Sequence, residues 1–180
     1  MLETARLFLR PFNKNDIDAV YTMRSDADVM RFIREPQTRR GEAESWINLT
    51  SSRWEKEKIG FCAVIEKSSN QFIGWCGLWR LKETDEIEVG YALVKDFRGQ
   101  GYASEAAEAF LIYGFDRLNL KEIVAVARAE NRNSWRVMER LGMTFDYTGK
   151  FYECDLVHYS ITKEEFFNAK AQKRKDTKVL

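Results

Sequence analysis

The residue types best suited to chemistry in this chain meet at one junction, Val94-Lys95-Asp96-Phe97-Arg98-Gly99-Gln100-Gly101-Tyr102-Ala103, where an alternating apolar segment gives way to a long helical one. Glycine at 99 and 101 permits positive φ and lets a ligand approach the main chain closely. The amides that follow open a helix, lack intrahelical acceptors and sit at the positive end of its dipole, which suits a phosphate or diphosphate. A plain tight connection also uses glycines, so these two alone do not decide. A Walker A loop is excluded, because Gly101 is followed by Tyr102-Ala103 rather than by lysine and a hydroxyl residue. The dinucleotide fingerprint is approached only as Gly99-x-Gly101-x-x-Ser104. It follows a run of strands instead of opening the fold, and only one buried strand of the parallel type comes after it.

Acid–base chemistry has one candidate strand. Glu86-Ile87-Glu88-Val89-Gly90 alternates, so Glu86, Glu88 and Gly90 share a face. A carboxylate there can take a proton, especially if partial burial raises its pKa; a solvated sheet face produces the same pattern. Other chemistries lack their residues. His158 is the only histidine and is expected on a strand face; the three cysteines, Cys62, Cys76 and Cys154, form no C-x-x-C pair. A Cys/His zinc site and a Ser-His-Asp triad are therefore not expected, no metal is expected, and the cysteines read as buried reduced thiols.

The elements that must position these groups follow from hydrophobic periodicity. Leu7 to Phe12 reads as a strand stopped by Pro11; Ile17, Val20, Tyr21 and Met23 form one helical face that Asn13 or Asn15 can cap; a second helix runs from about Gly41 to Glu57. Phe61–Ile65 and Phe72–Trp79, joined by Ser68-Ser69-Asn70-Gln71, read as a hairpin, and Glu86–Val94 adds a third antiparallel strand. A helix opens at Gly101, a β-branched strand covers Ile123–Ala127, and a short helix from Asn133 stops at Gly142. Phe145–Tyr147 and Phe151–Ile161 close the order as strands around a turn expected at Gly149. The five tryptophans fall mostly on apolar faces and read as core; Asp28–Arg40 shows no clear periodicity, and its arginines at 31, 34, 39 and 40 read either as a solvated loop or as a lure for an acidic substrate.

Composition bounds the rest. With 180 residues, 44% hydrophobic and 32% charged, the chain fits one globular domain. Lys and Arg number 29 against 28 Asp and Glu, so a globally basic surface for DNA is not expected. Apolar runs such as Phe61–Ile65 are far shorter than the roughly 20 residues a membrane helix needs, and Met1–Arg6 lacks a signal-peptide pattern. A cytoplasmic protein is expected, with monomer and homodimer both open.

Taken in order, the motifs resemble a known family. Arg98-x-x-Gly101-x-Ala103 matches the [QR]-x-x-G-x-[GA] pyrophosphate loop of the GNAT N-acetyltransferase superfamily, in the right place between strand and helix. Glu88-Val89-Gly90-Tyr91-Ala92-Leu93 resembles that family's fourth strand, and Glu130–Ser134 with Glu139–Met143 resembles its second cofactor motif. Thr4–Pro11 and the closing strands are similar to the branch that acetylates ribosomal-protein N-termini (RimJ/RimL-like). The resemblance spans residues 4 to 162. It implies an α+β fold: one GNAT-type domain over residues 1–168, with a mixed, mostly antiparallel sheet flanked by helices and splayed fourth and fifth strands. A charged tail at 169–180 is expected to be flexible.

The resemblance also implies an acyltransferase that moves acetyl directly from acetyl-CoA to a primary amine, a protein N-terminal α-amine or a small molecule such as a polyamine or aminoglycoside. A CoA-binding module without catalysis is the non-enzymatic alternative. Within the family pattern, Arg98, Gly99, Gln100, Gly101, Tyr102 and Ala103 hold the pyrophosphate, Tyr91, Ala92, Leu93 and Val94 flank the pantetheine arm, and the Leu93 amide is the oxyanion donor. Glu88 is the implied base, with Glu86 and Glu153 as alternatives. Relatives often carry a tyrosine acid where this chain has Met138; the ribosomal-protein branch has a serine that matches Ser134. Asn131 matches a hydrogen-bond partner of the cofactor arm, and both Asn131 and Ser134 are also natural helix caps.

Overall fold

Leu7 and Leu9 are buried while Phe8 and Arg10 are half-buried, the alternation of a strand with one core face. The computed structural model describes residues 1–177, with side chains through residue 172. In chain order the strands are β1 (Leu2–Glu3), β2 (Leu7–Arg10), β3 (Gly60–Glu66), β4 (Gln71–Arg80), β5 (Ile87–Leu93), β6 (Glu122–Arg128), β7 (Thr144–Phe151) and β8 (Cys154–Thr162). The helices are α1 (Ile17–Ser25), α2 (Ala27–Met30), α3 (Arg40–Glu57), α4 (Tyr102–Asp116), α5 (Arg132–Leu141) and α6 (Lys163–Thr177). The architecture is α+β; among the described residues the strands pair mostly antiparallel, with one parallel pair. The described chain divides into two compact units, Met1–Trp79 with Val89–Phe110, and Arg80–Glu88 with Leu111 onward.

In the first unit the strand order is β1-β2-β3-β4-β5. Val20, Met23 and Met30 from α1 and α2, with Ala43 and Ile47 from α3, pack on Ala63, Ile65 and Trp75 of the sheet. This burial is the main source of the unit's stability. Thr50, fully buried, docks α3 on β3: its Oγ1 accepts from Phe61 N (2.6 Å) and donates to Phe61 O (3.1 Å). Cys62 and Cys76 face each other across β3 and β4 as free buried thiols, and burial pushes Cys62 up to about 12, so neither is poised as a nucleophile.

In the second unit the order is β5-β6-β8-β7. Among the described residues β5 pairs in parallel with β6 at Glu88↔Val124, at the N-terminal end of β5. The β6–β8 and β8–β7 ladders are antiparallel. Phe115 at the end of α4 packs on Phe166 (5.4 Å between ring centroids), and Lys163 N donates to Lys121 O (2.9 Å), which ties the start of α6 to the sheet.

Two expectations need correction. The last hairpin turns at Tyr152-Glu153, both left-handed (φ 51° and 63°), not at Gly149. Gly149 lies inside β7 opposite Leu156, where a Cβ would stand 3.0 Å from the Tyr147 ring and 3.1 Å from that of Phe151. The glycine makes room for rings there. The charged tail at 169–180 begins as part of α6, which runs as far as Thr177 and is anchored by Phe166, 2% exposed; residues 178–180 lie outside the described residues. Asp28–Arg40, read as irregular, begins inside the short α2, which Asp26 caps through the amides of Asp28 and Val29.

Candidate functional site

The candidate residues form two groups, one in each unit. In the first, Gly99 and Gly101 adopt φ 76° and 83°, a region that a Cβ makes costly. A Cβ on Gly99 would meet nothing within 4 Å, so the space over the loop is open and is what a side chain would fill. Glu105 N donates to Gly101 O (3.0 Å), the first turn of α4. The amides of Tyr102, Ala103 and Ser104 therefore precede the helix's own ladder and point out of its positive end. Ser104 Oγ is buried without a hydrogen bond, an orphaned donor in this first turn. Donors, dipole and open space together fit a diphosphate such as that of coenzyme A.

The loop is braced by side chains distant in sequence. Arg6 donates from Nη1 to Gln100 O (3.0 Å) and from Nε to Glu105 Oε2 (2.6 Å), and its guanidinium lies 4.3 Å over the Tyr102 ring. Burial pushes Glu105 up, but hydrogen bonds from Thr4 Oγ1, Arg6 N and Arg6 Nε outweigh it and hold the carboxyl below its ordinary range. Tyr102 donates to Glu66 Oε1 (3.1 Å), and Ser68 and Ser69 hydrogen bonds hold Glu66 down to about 2. Gln100 Nε2 donates to Asp96 O (2.9 Å). Sequence reasoning missed this bracing, since Arg6 and Glu105 are 99 residues apart.

The strand leading into the loop is set the same way. Arg98 Nε donates to Leu93 O (3.0 Å), joining the loop to the strand end. A Cβ on Gly74 would come 2.2 Å from Ala92 O, so only glycine lets β4 lie this close to β5. Val94 N donates to Ile73 O (2.9 Å) and Val94 O accepts from Phe97 N (3.2 Å), leaving its side chain as what it can present. Tyr91 and Ala92 are half-buried and Leu93 is 7% exposed.

In the second unit the three candidate carboxylates separate. Glu88 is 6% exposed, and burial pushes its carboxyl up to about 7, helped by the Glu83 charge and opposed by a hydrogen bond from the Tyr152 hydroxyl. Tyr152 N donates to Glu83 Oε1 (2.7 Å), so the hairpin tip is held over this carboxyl. Glu86 points instead to His158 Nε2 (3.3 Å), whose Nδ1 lies 2.9 Å from Asp146; a bulge between Phe145 and Tyr147 turns Asp146 that way. Glu153 is exposed at the turn. Tyr152 left no sign in the sequence, because its role depends on a turn that its residue type does not advertise.

Asn131 caps α5: its Oδ1 accepts from Ser134 N (3.3 Å). Ser134 is half-buried in the first turn, and Gly142 (φ 90°) ends the helix where expected. Met138 is 1% exposed and belongs to the core. Among the described residues no group of three or more His, Cys, Asp or Glu side chains is arranged to hold a metal ion, and no helix is long and apolar enough to cross a membrane.

The model of the acetyltransferase (GNAT) domain matches residues 6–144. The uncharacterized N-acetyltransferase YnaD of Bacillus subtilis is 33% identical over 173 residues, covering 92% of this chain and 98% of its own. Spermidine N(1)-acetyltransferase of Escherichia coli K12 is 25% identical over 171 residues, covering 89% and 81%. Among solved structures, RimL, a ribosomal-protein α-N-acetyltransferase in complex with coenzyme A, superposes with a TM-score of 0.76 at 18% identity, covering 88% of this chain and 95% of that one.

Proposed function

The chain belongs to the GNAT acetyltransferase family, and from that premise we propose that it acetylates the free α-amine of a peptide or a small amine by direct transfer. It is an N-acetyltransferase whose donor is acetyl-CoA, and its acceptor is an amine. The observation that carries the reading is the pair of left-handed glycines at the start of α4 beside space that a Cβ would fill.

Acetyl-CoA supplies an activated thioester and a thiolate leaving group; the chain's residues do the rest. The main-chain donors of Gly99–Ala103 bind the diphosphate, with Ser104 Oγ as a further donor. The Leu93 amide stabilises negative charge as it develops on the carbonyl oxygen; a backbone donor suits this because it is rigid and carries no competing charge. Glu88, held near neutrality, accepts the proton of the acceptor ammonium or amine, and the Tyr152 hydroxyl keeps its carboxylate oriented. Ser134 donates toward the leaving sulfur, and Asn131 both caps α5 and presents its amide to the cofactor arm. Neither a metal nor an acyl-enzyme enters this scheme.

A thiol-release assay with acetyl-CoA and a panel of N-terminal peptides, polyamines and aminoglycosides tests it. Amine-dependent release of CoA is expected, and Ser134→Ala lowers kcat with KM for acetyl-CoA little changed. Release with no amine in the panel would refute transfer, and an unchanged kcat in Ser134→Ala would reduce that residue to helix geometry.

A further inference from the structure

Four arginines around residues 31–40 invite the idea of an acidic acceptor, but the structure disposes of most of them locally. Arg39 pairs with Glu42 (3.4 Å), Arg40 with Asp18 (2.5 Å), and Arg31 lies over the Phe32 ring. The exception is an arginine the sequence did not single out. Arg24, in the last turn of α1, is 2% exposed, and among the described residues no carboxylate pairs with it.

Its guanidinium carbon lies 4.2 Å over the Trp46 ring, and Nε is buried with no hydrogen-bond partner. Burial, and then the like charge of exposed Arg34, push it down to about 10. A second orphaned donor, Trp75 Nε1, belongs to a ring 5.9 Å from the same Trp46. An orphaned acceptor, Gln37 Oε1, belongs to the residue whose N–H bonds Arg24 O (2.8 Å). Stacking on an indole offsets part of the cost of burying a cation, but it leaves the Nε–H donor unmet. Buried charges are ordinarily paired, and a bidentate arginine fork matches a carboxylate in shape and charge. The residue pattern is that of half a salt bridge.

We propose that Arg24 forms an anion-recognising subsite for the acceptor, and that the amine acetylated by this chain carries a carboxylate. The proposal rests on the acetyl-transfer reading for the word acceptor alone; a carboxylate subsite stands or falls by itself. It sets polyamines apart, because a purely cationic acceptor meets Arg24 and Arg34 as like charges.

The test compares three amines on the purified full chain: a short peptide with an N-terminal glutamate, γ-aminobutyrate and spermidine. Each is followed by calorimetric binding and by thiol release, in wild type, Arg24→Met and Arg24→Lys. The expected result is binding of the carboxylate amines over spermidine. Arg24→Met should raise their KM or Kd roughly tenfold or more, the size of a lost charge-assisted hydrogen bond, with KM for acetyl-CoA unchanged. Arg24→Lys, which keeps charge and loses the fork, should fall between. Preference for the peptide over γ-aminobutyrate assigns the carboxylate to a polypeptide, and the reverse to a free amino acid. If spermidine binds as well as the carboxylate amines, if no carboxylate amine binds, or if both variants leave their Kd within twofold, the proposal is overturned. Should Arg24→Met not fold, the wild-type ranking and Arg24→Lys still decide. Failure of acetyl-CoA to bind would overturn the transfer reading instead, and calorimetry would still report on Arg24.

Discussion

Glu88 carries a cost in stability beside its proposed use as the base, and the two can be measured separately. Its carboxyl sits at about 7 in the folded chain against an ordinary 4.5, raised first by burial. Between those values the folded protein keeps a proton that the unfolded chain releases, so stability is full below 4.5 and falls as pH rises through about 7. Glu88→Gln removes that dependence and should be more stable than wild type at pH 8, by as much as about 3 kcal/mol. Chemical denaturation at pH 5 and pH 8 checks this, and the same variant should lose most of its turnover. The charged and polar groups facing Glu88 are Tyr152 and Glu83, and Tyr152→Phe removes the one that favours the carboxylate. The carboxyl then rises further, so the acid limb of kcat/KM should move roughly one pH unit upward. An unmoved limb would mean that Glu88 is not the titrating base.

The elements show which parts of this arrangement can be seen in the residues and which cannot. The β3–β4–β5 run, the opening of α4 and the Gly142 stop of α5 were legible because backbone requirements select residue types: alternation for a sheet face, glycine for positive φ. The last hairpin was not, since Tyr152 and Glu153 take left-handed conformations that favour Asn or Gly, while the conspicuous Gly149 serves ring packing. The site divides along the same line. The glycine loop was legible; the Arg6–Glu105 brace, the Tyr152–Glu88 bond and the unpaired Arg24 arise from tertiary neighbours distant in the chain. The turn makes an element-scale prediction. Glu153→Gly relieves a left-handed non-glycine residue, partly offset by a more flexible unfolded chain, for a net gain of about 0.5 kcal/mol. Tyr152 stays in place, so turnover should be retained. A thermal melt beside an activity assay tests both, and a loss of turnover would return Glu153 to the list of bases.

At the scale of the whole molecule, function appears as linkage between ligand and stability. The family's domain model runs from residue 6 to 144 and so draws on both compact units, and the proposed site for the donor's diphosphate is the loop at the start of α4. A ligand that binds only the folded chain stabilises it by about 2.7 kcal/mol at a hundredfold excess over Kd, which for a chain of this size is a Tm rise of roughly 5–11 °C. Acetyl-CoA and CoA should both produce it, while NAD and ATP should not, because the loop lacks the dinucleotide and Walker patterns. Gly101→Glu puts a carboxylate into the cradle beside Arg6 Nη2, which lies 3.5 Å from where a Cβ would stand, and should abolish the shift. Part of any loss could come from strain at φ 83°. Gly101→Ala carries that strain without the charge, so it should lower the starting Tm while keeping most of the shift. If both variants lost the shift equally, backbone conformation rather than occlusion of an anion site would govern donor binding; if neither did, the donor would be held elsewhere.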